Sequence, residues 1–392
     1  MRNFLDISEA SHRDAKKQQF LKQIIKSLLQ EQEQTIPELC AQFKWSIPTG
    51  TKLVQELVKK KILLAKGKRD SSGGRRPDVY TLNGAMGYVI GIELLAQSFK
   101  LTIVNLNHDV VYEYEDNKFD ITKDEEALAY LKSAVPATIK QQKISKEKIV
   151  GIGIGITGRV NKVNGASYTY LNFDTPLPEL LSNEWQLPVY VDNDTHLMAL
   201  GEMNYGHAKN KSDVVIVNLS RGVGTGIIAN GVIQTGRSGF AGEFGHIHIT
   251  NNNRLCICGK KGCLETIVSG RALENEFNDE DATKSKTRKT HYKEILQRAK
   301  KNDPKLDATL SRMGEDLGQA ISSLIHLLNP ELVIISGGFT SVGDKLIYPI
   351  ARGMNLYGLP QLVADCDLKI SSLGERATIL GAFSLVFDRE FQ

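Results

Sequence analysis

The sequence predicts an α/β protein in which a winged helix-turn-helix domain precedes a larger, duplicated α/β domain. The first part of the chain combines three helical segments with a glycine-rich basic hairpin. In the remainder, a run of three strands followed by strand–helix units occurs twice, which is typical of a duplicated domain with a cleft between two lobes. We place the domains at 1–83 and 84–392, with lobes of about 84–200 plus the C-terminal helix, and 201–370.

Local signals predict each element of the first domain. Apolar residues three and four apart over 18–30 indicate an amphipathic helix. Thr35 and Glu38 form a capping box that opens a short second helix, and Ser46 is the N-cap of a third. Two short strands enclose the basic hairpin over 65–78 and complete the winged helix-turn-helix.

Bulk composition indicates a globular protein without a membrane segment. Of 392 residues, 41% are hydrophobic and 24% are charged. No apolar run approaches the roughly 20 residues that a spanning helix needs. The first residues lack the apolar core of a signal peptide, so we expect a cytoplasmic protein.

Charge is distributed unevenly along the chain. Residues 1–80 contain 16 Lys and Arg against 9 Asp and Glu, whereas the rest contains 33 against 36. A basic end on a mildly acidic body is typical of a nucleic-acid-binding module joined to another domain. A solvated basic face without a partner is the alternative that charge alone leaves open.

The third helix is the predicted recognition helix, because its N-terminal residues would enter the major groove of DNA. Its polar side chains opposite the apolar stripe can reach phosphates or base edges. Paired arginines in the wing suit a narrow minor groove. A domain used only for protein contacts is the alternative. The predicted DNA-binding residues are Thr49, Thr51, Lys52, Gln55, Arg75 and Arg76.

Three cysteines lie within eight residues, at Cys256, Cys258 and Cys263. In a cytoplasmic chain such clustering favours a metal site over disulfides. A structural zinc ion takes four ligands, and His246 or His248 upstream is available as the fourth. Three buried, reduced cysteines are the alternative.

The segment GFAGEFGHI followed by CICGKKGCLE resembles the signature of the ROK family, which contains bacterial sugar repressors and sugar kinases. The wing GGRRP, the segment VDNDTHLMALGE, the loop RGVGTGIIANG and the turn ISGGF follow the order of ROK repressors, so the resemblance covers the whole chain. It implies an actin/hexokinase-like two-lobed fold, a structural Zn²⁺ ion and a sugar bound in the cleft.

The resemblance also implies individual site residues. The implied zinc ligands are His246, Cys256, Cys258 and Cys263. The implied sugar contacts are Asn193, Asp194, Glu243, His246 and Glu265. Carboxylates and a carboxamide suit vicinal hydroxyls, and leaving such groups unpaired is costly, so a site of this kind discriminates between ligands.

Two loops distinguish a sugar sensor from a sugar kinase, because a kinase needs them to bind the phosphates of ATP. In ROK kinases the residue matching Asp194 is the general base, which permits an enzyme. The first phosphate loop, expected as Asp-x-Gly-Gly-Thr, is Glu-Leu-Leu-Ala-Gln at 93–97. The second, expected as Gly-Thr-Gly-Ile-Gly, is 220–224, where Arg221 replaces a hydroxyl residue. The lost glycines would have let backbone N–H groups approach phosphate.

We therefore expect a sugar-responsive transcriptional regulator, a repressor rather than an enzyme, that binds double-stranded operator DNA. A sugar or sugar derivative would modulate operator binding, either releasing or promoting it. Paired half-sites suit a homodimer or homotetramer, and no membrane partner is expected. The alternative is an ATP-dependent sugar kinase that retains a DNA-binding module.

Overall fold

The computed structural model describes residues 12–68, 77–249, 252–281 and 291–391. These residues divide into two compact units. The first takes in the described residues of Met1–Ile156, Gly165–Val191 and Ala382–Gln392. The second takes in those of Thr157–Asn164 and Asp192–Gly381.

The start of the first unit has the predicted winged helix-turn-helix topology. Its elements are α1 (His12–Glu31), β1 (Glu33–Thr35), α2 (Ile36–Phe43), α3 (Ile47–Lys59), β2 (Leu63–Lys68) and β3 (Asp78–Leu82). Both predicted caps are confirmed: Thr35 and Glu38 make the reciprocal bonds of a capping box, and the Ser46 side chain accepts from the Thr49 N–H. The buried positions of the three helices include Leu21, Ile24, Ile25, Leu28, Leu29, Leu39, Leu53, Val54 and Leu57.

The wing strands pair as expected, with one addition. β2 and β3 are antiparallel, and β1 joins the outer side of β3 to give the order β1-β3-β2. Sequence reasoning missed β1 because three residues are too few to show alternation. Arg75 and Arg76 lie outside the described residues.

The first unit also holds a five-stranded sheet. Its strands are β4 (Tyr88–Leu95), β5 (Ser98–Asn105), β6 (Val110–Asp116), β7 (Ile149–Ile156) and β8 (Val189–Asn193), and its helices are α4 (Asp124–Gln141) and α5 (Leu177–Trp185). The order is β6-β5-β4-β7-β8, with β4, β5 and β6 antiparallel and β7 parallel to β4. Every residue of β7 is buried, as its continuous apolar sequence predicts for a central parallel strand.

The second unit repeats this sheet plan. Its strands are β9 (Val214–Leu219), β10 (Val223–Ala229), β11 (Val232–Ile233), β12 (Leu332–Ser336) and β13 (Asp367–Ile370), in the order β11-β10-β9-β12-β13. The first three are antiparallel, and β12 and β13 run parallel to β9. In both sheets three consecutive antiparallel strands are followed by a strand, β7 or β12, that pairs in parallel with the first of the three, which confirms the predicted duplication.

Eight helices of the chain begin in the second unit, among the residues that the structure describes. They are α6 (Asp194–Tyr205), α7 (Glu265–Val268), α8 (Gly270–Asp281), α9 (Tyr292–Leu296), α10 (Pro304–Leu328), α11 (Asp344–Tyr357), α12 (Pro360–Ala364) and α13 (Arg376–Glu390). Within the described ranges, no helix has the length and apolarity needed to cross a membrane.

The highly charged sequence over 272–303 favours an exposed helical segment, and this prediction is wrong in one respect. Described parts of it are helical, but Leu273, Phe277, Tyr292 and Ile295 are buried in the core of the second unit. Charged residues dominate the composition of the segment, so its few apolar positions give only a weak signal of burial in the sequence. Since an amphipathic helix needs only a narrow apolar stripe, a high charge content does not exclude burial.

Candidate functional site

The outer face of α3 is open, as a recognition helix requires. Lys52 and Gln55 are exposed. Thr49 is exposed and its hydroxyl lies 2.8 Å from that of the N-cap serine, whereas Thr51 is half-buried and donates to the backbone four residues earlier. Ile47, which sequence reasoning missed, is 52% exposed at the start of the helix. A thymine methyl is the apolar group that the major groove offers to such a side chain.

In the second unit, Asn193 and Asp194 stand at the turn between β8 and α6. The Asn193 side-chain oxygen caps α6 by accepting from the N–H groups of Thr195 and His196, at 2.9 and 3.1 Å. Its amide donates to the Gly158 carbonyl at 2.8 Å. The carboxamide predicted to contact sugar therefore also fixes the direction in which the next residue points.

Asp194 is a buried carboxylate at the first position of α6. Its Oδ1 accepts from the Thr195 N–H at 2.8 Å, and no described residue donates to its Oδ2. Burial raises the pKa of Asp194 to about 6, and the Glu243 carboxylate adds to the rise. Hydrogen bonds from Thr195 and the charge of the His196 ring oppose it. The group is thus an acceptor at neutral pH that has lost most of its water.

β10 is the platform on which α6 and the AGEFGH loop (residues 241–246) both rest. A Cβ at Gly226 would lie 2.4 Å from the Ala199 Cβ, so only glycine lets α6 approach this closely. Gly242 has a φ of +95°, and a Cβ there would lie 2.0 Å from the Thr225 carbonyl oxygen. The loop is held there because the Thr225 N–H donates to the Gly242 carbonyl at 2.9 Å.

The AGEFGH loop and α7 carry the other three predicted sugar contacts. His246 Nε2 lies 3.6 Å from the Glu243 carboxylate, and both side chains are partly exposed. Glu265 is buried, accepts from the Val223 N–H at 3.2 Å and lies 3.7 Å from the Arg271 guanidinium. Glu265 is therefore tied to β10 rather than free to turn toward solvent.

The structure brings the four predicted metal ligands together. The donor atoms of His246, Cys256, Cys258 and Cys263 all lie within 4.8 Å of one another. His246 Nδ1 is 3.4 Å from the Cys256 sulfur, and the sulfurs of Cys258 and Cys263 are 3.7 Å apart. Thiolates about 2.3 Å from a tetrahedral ion would stand about 3.8 Å apart. A cluster of this kind can hold a metal ion.

Protonation of the cluster sets a condition for metal binding. Burial raises the pKa of the Cys256 thiol to about 12, so without a metal this group keeps its proton at neutral pH. Because metal ligation requires the thiolate, uptake of a metal ion would release protons. His248 is not part of the cluster; it forms a β-bridge with Cys263.

Strand pairing and an ion pair occupy the two segments that align with the phosphate loops of the family pattern. β4 continues to Leu95, and Ala96 and Gln97 form the short turn to Ser98 of β5. In the second loop, Arg221 Nε donates to the largely buried Glu274 carboxylate at 3.2 Å.

Sequence reasoning missed three polar residues of the site. His196 hydrogen-bonds to β8 and to the AGEFGH loop, Thr195 accepts from Asn218 at 3.0 Å, and Arg271 faces Glu265. VDNDTHLMALGE carries the first two, but a lone histidine or threonine on a helix gives no spacing signal. Only the packing of α6 on β10 reveals them.

Comparisons with known proteins agree with this architecture. The family model for the ROK family matches residues 89–389. The chain is 29% identical to a xylose repressor of Caldicellulosiruptor bescii, covering 86% of this chain and 88% of the relative. It is 32% identical to a glucokinase of Halalkalibacterium halodurans, covering 77% and 96%. Relatives thus include both repressors and kinases.

A solved structure gives the same fold over nearly the whole chain. It is a ROK family transcriptional regulator described as a homologue of the E. coli MLC protein. The match covers 95% of this chain and 96% of that chain, with a TM-score of 0.75 and 23% identity. The likeness confirms the predicted actin/hexokinase-like fold preceded by a winged helix-turn-helix. With a family model that covers most of its length, the chain belongs to the ROK family.

Proposed function

We propose that this protein is a sugar-responsive transcriptional repressor that binds operator DNA and does not phosphorylate its ligand. The observation that carries the proposal is that one chain joins a winged helix-turn-helix with an open recognition face to a ROK domain in which the Asp194 carboxylate is buried at the β8–α6 turn. The match to the xylose repressor covers 86% of this chain, whereas the match to the glucokinase covers 77%.

The sugar site would be formed by the side chains on either side of β10. Asp194 offers its Oδ2, to which none of the described residues donates, and Glu243 is partly exposed nearby in the AGEFGH loop. Acceptors for hydroxyl donors, fixed in place before the ligand arrives, favour a polyol over an apolar ligand. The proposed contacts are Asn193, Asp194, Glu243, His246 and Glu265.

We assign Zn²⁺ as the metal of the His246, Cys256, Cys258 and Cys263 cluster. Three thiolates and one imidazole in tetrahedral reach form a closed structural site, so the ion supplies rigidity and no reaction. Ligation through Nδ1 would place the proton of His246 on Nε2, the nitrogen that faces Glu243. The metal would thereby set the donor that His246 presents to a sugar.

Two features support a sensor over a kinase. The turn at 96–97 has no glycine to admit phosphate, and Arg221 is held by Glu274 where the family pattern places a hydroxyl. Asp194, however, occupies the kinase general-base position, and a glucokinase is among the relatives. Kinase activity with a retained DNA-binding module is therefore the second candidate.

Strand β8 connects the proposed sugar site along the chain to the unit that contains the DNA-binding module. β8 contributes Val191 to the first unit and Asp192 to the second, and Asp194 follows directly. A ligand that hydrogen-bonds to Asp194 therefore acts three residues along the chain from the unit that contains the winged helix-turn-helix. A symmetric dimer or tetramer would present paired recognition helices to paired half-sites.

We propose the boundaries 1–83 and 84–392 for the two domains, with lobes as drawn from the sequence, and a cytoplasmic location.

The function is tested by a thermal-shift screen with D-xylose, D-glucose and other monosaccharides and their phosphates. Ligand at about 100 times its Kd stabilises the folded state by about 2.7 kcal/mol. Operator DNA, selected from fragments beside sugar-uptake genes, is then titrated with and without the best ligand. A sugar that binds without changing operator affinity would contradict the sensor role.

The wing gives a separate prediction for DNA binding. Arg75→Ala combined with Arg76→Ala should weaken operator binding and lower its salt slope by up to about one unit for each lost phosphate contact. If the arginines read a narrow groove, the loss should be larger on A·T-rich sites. Fluorescence anisotropy over a salt titration measures both effects. Lys300→Ala with Lys301→Ala removes equal charge from the ROK domain and should leave the slope unchanged. Wild-type behaviour of the wing variant would show that the wing does not touch DNA.

A further inference from the structure

His196 occupies an unusual position for a histidine in this site. It lies on α6 two residues after Asp194, and only 4% of its surface is exposed. Its Nδ1 is 3.1 Å from the Asp192 carboxylate at the end of β8. Its Nε2 is 3.4 Å from the carbonyl oxygen of Ala241, at the start of the AGEFGH loop. One ring therefore spans both halves of the proposed sugar site.

Both partners of this ring are acceptors. The Ala241 carbonyl oxygen cannot donate, and the Asp192 carboxylate faces the ring as an acceptor. A neutral imidazole carries one N–H and can satisfy only one of them, whereas an imidazolium donates to both. Asp192 is half-buried and its Oδ1 also accepts from the Asn193 N–H at 2.7 Å, so a neutral ring leaves either the bond to the AGEFGH loop unmade or a lone pair of Nδ1 facing the carboxylate.

We propose that His196, as an imidazolium, is a positioning residue that holds the AGEFGH loop against the β8–α6 turn and so sets the separation of the sugar-binding groups. Its two hydrogen bonds connect Asp192, immediately before the cap residue Asn193, to the residue before Gly242. Losing one bond frees the loop that carries Glu243 and His246. The inference rests on the proposed sugar site and adds a pH dependence to it.

The electrostatic surroundings support the charged form. Burial by itself lowers the pKa of His196, but the hydrogen bond and charge of Asp192, the Ala241 carbonyl and the Asp194 carboxylate outweigh it, and the pKa is raised. A raised pKa gives a stabilisation that is complete below the ordinary value of about 6.5 and is lost as pH rises through the folded-state pKa. Sugar affinity should fall over the same interval.

The test compares sugar affinity from about pH 7 to about pH 9 in wild type and His196→Gln, by calorimetry with D-xylose and with D-glucose. Asp194 is ionised throughout this range, so its own titration does not interfere. If sugar binds to the form in which His196 is protonated, the wild-type Kd for sugar should rise at least about fivefold from about pH 7 to about pH 9. His196→Gln should bind more weakly at about pH 7 and vary by less than about twofold.

Controls separate positioning from general damage. His207→Gln, beyond the C-terminus of the same helix, should keep the wild-type pH profile. Metal content measured at each pH shows whether the cysteine cluster stays loaded. A second measurement needs neither ligand nor variant: ¹⁵N NMR of histidine-labelled wild-type protein should show one imidazole that remains protonated at both nitrogens above about pH 7.

The outcomes distinguish this inference from the proposed function. If neither sugar, nor any member of the thermal-shift panel, binds at any pH, the sugar site itself is contradicted. If sugar binds and His196→Gln shows the wild-type pH profile, the positioning role is overturned while the sensor role stands. An NMR spectrum in which every imidazole is neutral at about pH 7 would also overturn it, irrespective of ligand.

Discussion

Replacing Cys258 by serine is expected to remove the bound metal and to destabilise the second unit. A hydroxyl is a poor zinc ligand at neutral pH, and a structural zinc ion contributes its binding energy directly to folding. We expect a loss of about 3 kcal/mol or more, which corresponds to a fall in Tm of roughly 6–12 °C for a unit of this size. Sugar affinity should fall as well, because His246 loses its orientation.

Elemental analysis of reduced, freshly purified protein measures the metal, and thermal unfolding measures stability. Wild type should carry about one zinc per chain. Cys366→Ser is the matched control, since this cysteine lies in the same unit outside the cluster and should leave the zinc content unchanged. Wild-type protein without zinc, or Cys258→Ser protein with a full complement, would end the structural-zinc assignment.

Asp194→Asn is expected to separate stability from ligand binding. At neutral pH the Asp194 carboxylate is ionised although burial disfavours the charged form. This is the reason that its pKa is raised to about 6. Since that pKa lies above the unfolded value, stability falls as pH rises toward it, and the amide avoids this cost. The free energy of unfolding should therefore be unchanged or higher by up to about 1–3 kcal/mol, and the Tm should be unchanged or higher accordingly. Sugar affinity should nevertheless drop about 10- to 100-fold, because an acceptor-only group becomes a mixed donor and acceptor.

Calorimetry with the best sugar and a thermal melt on the same sample decide the matter. Asp365→Asn, an exposed aspartate of the same unit, is the control and should change neither quantity. Operator affinity without sugar should be unchanged in both variants, since the recognition helix belongs to the other unit. Retained sugar affinity in Asp194→Asn would move the binding site away from the β8–α6 turn.

Elements specified by neighbouring residues could be predicted from the sequence. The capping box of Thr35 and Glu38 fixes the start of α2 through bonds three residues apart, so the sequence contains the whole motif. The buried run of β7 and the amphipathic α10 are likewise local patterns. The metal cluster was predictable because three ligands share one short loop, and family resemblance supplied the fourth.

Features that depend on packing between distant segments could not be predicted. Gly242 is required because the Thr225 carbonyl of another strand lies where its Cβ would be. The burial of Phe277 and Tyr292 follows from how α8 and α9 lie on the second-unit core, not from their charged neighbourhood. The positioning role of His196 follows only from the tertiary structure, which brings two acceptors, 4 and 45 residues away in the chain, to the two nitrogens of one imidazole ring.

The most direct test of the sensor account is the affinity for operator DNA, measured by fluorescence anisotropy with saturating sugar, in the presence and absence of magnesium ATP. The account predicts that sugar alone shifts the affinity, by about 5- to 150-fold for a typical allosteric coupling. ATP should add nothing, and the sugar should be recovered unphosphorylated. A shift that appears only with ATP, accompanied by ADP release at about 1–10³ per second, would contradict the account and identify a kinase that also binds DNA.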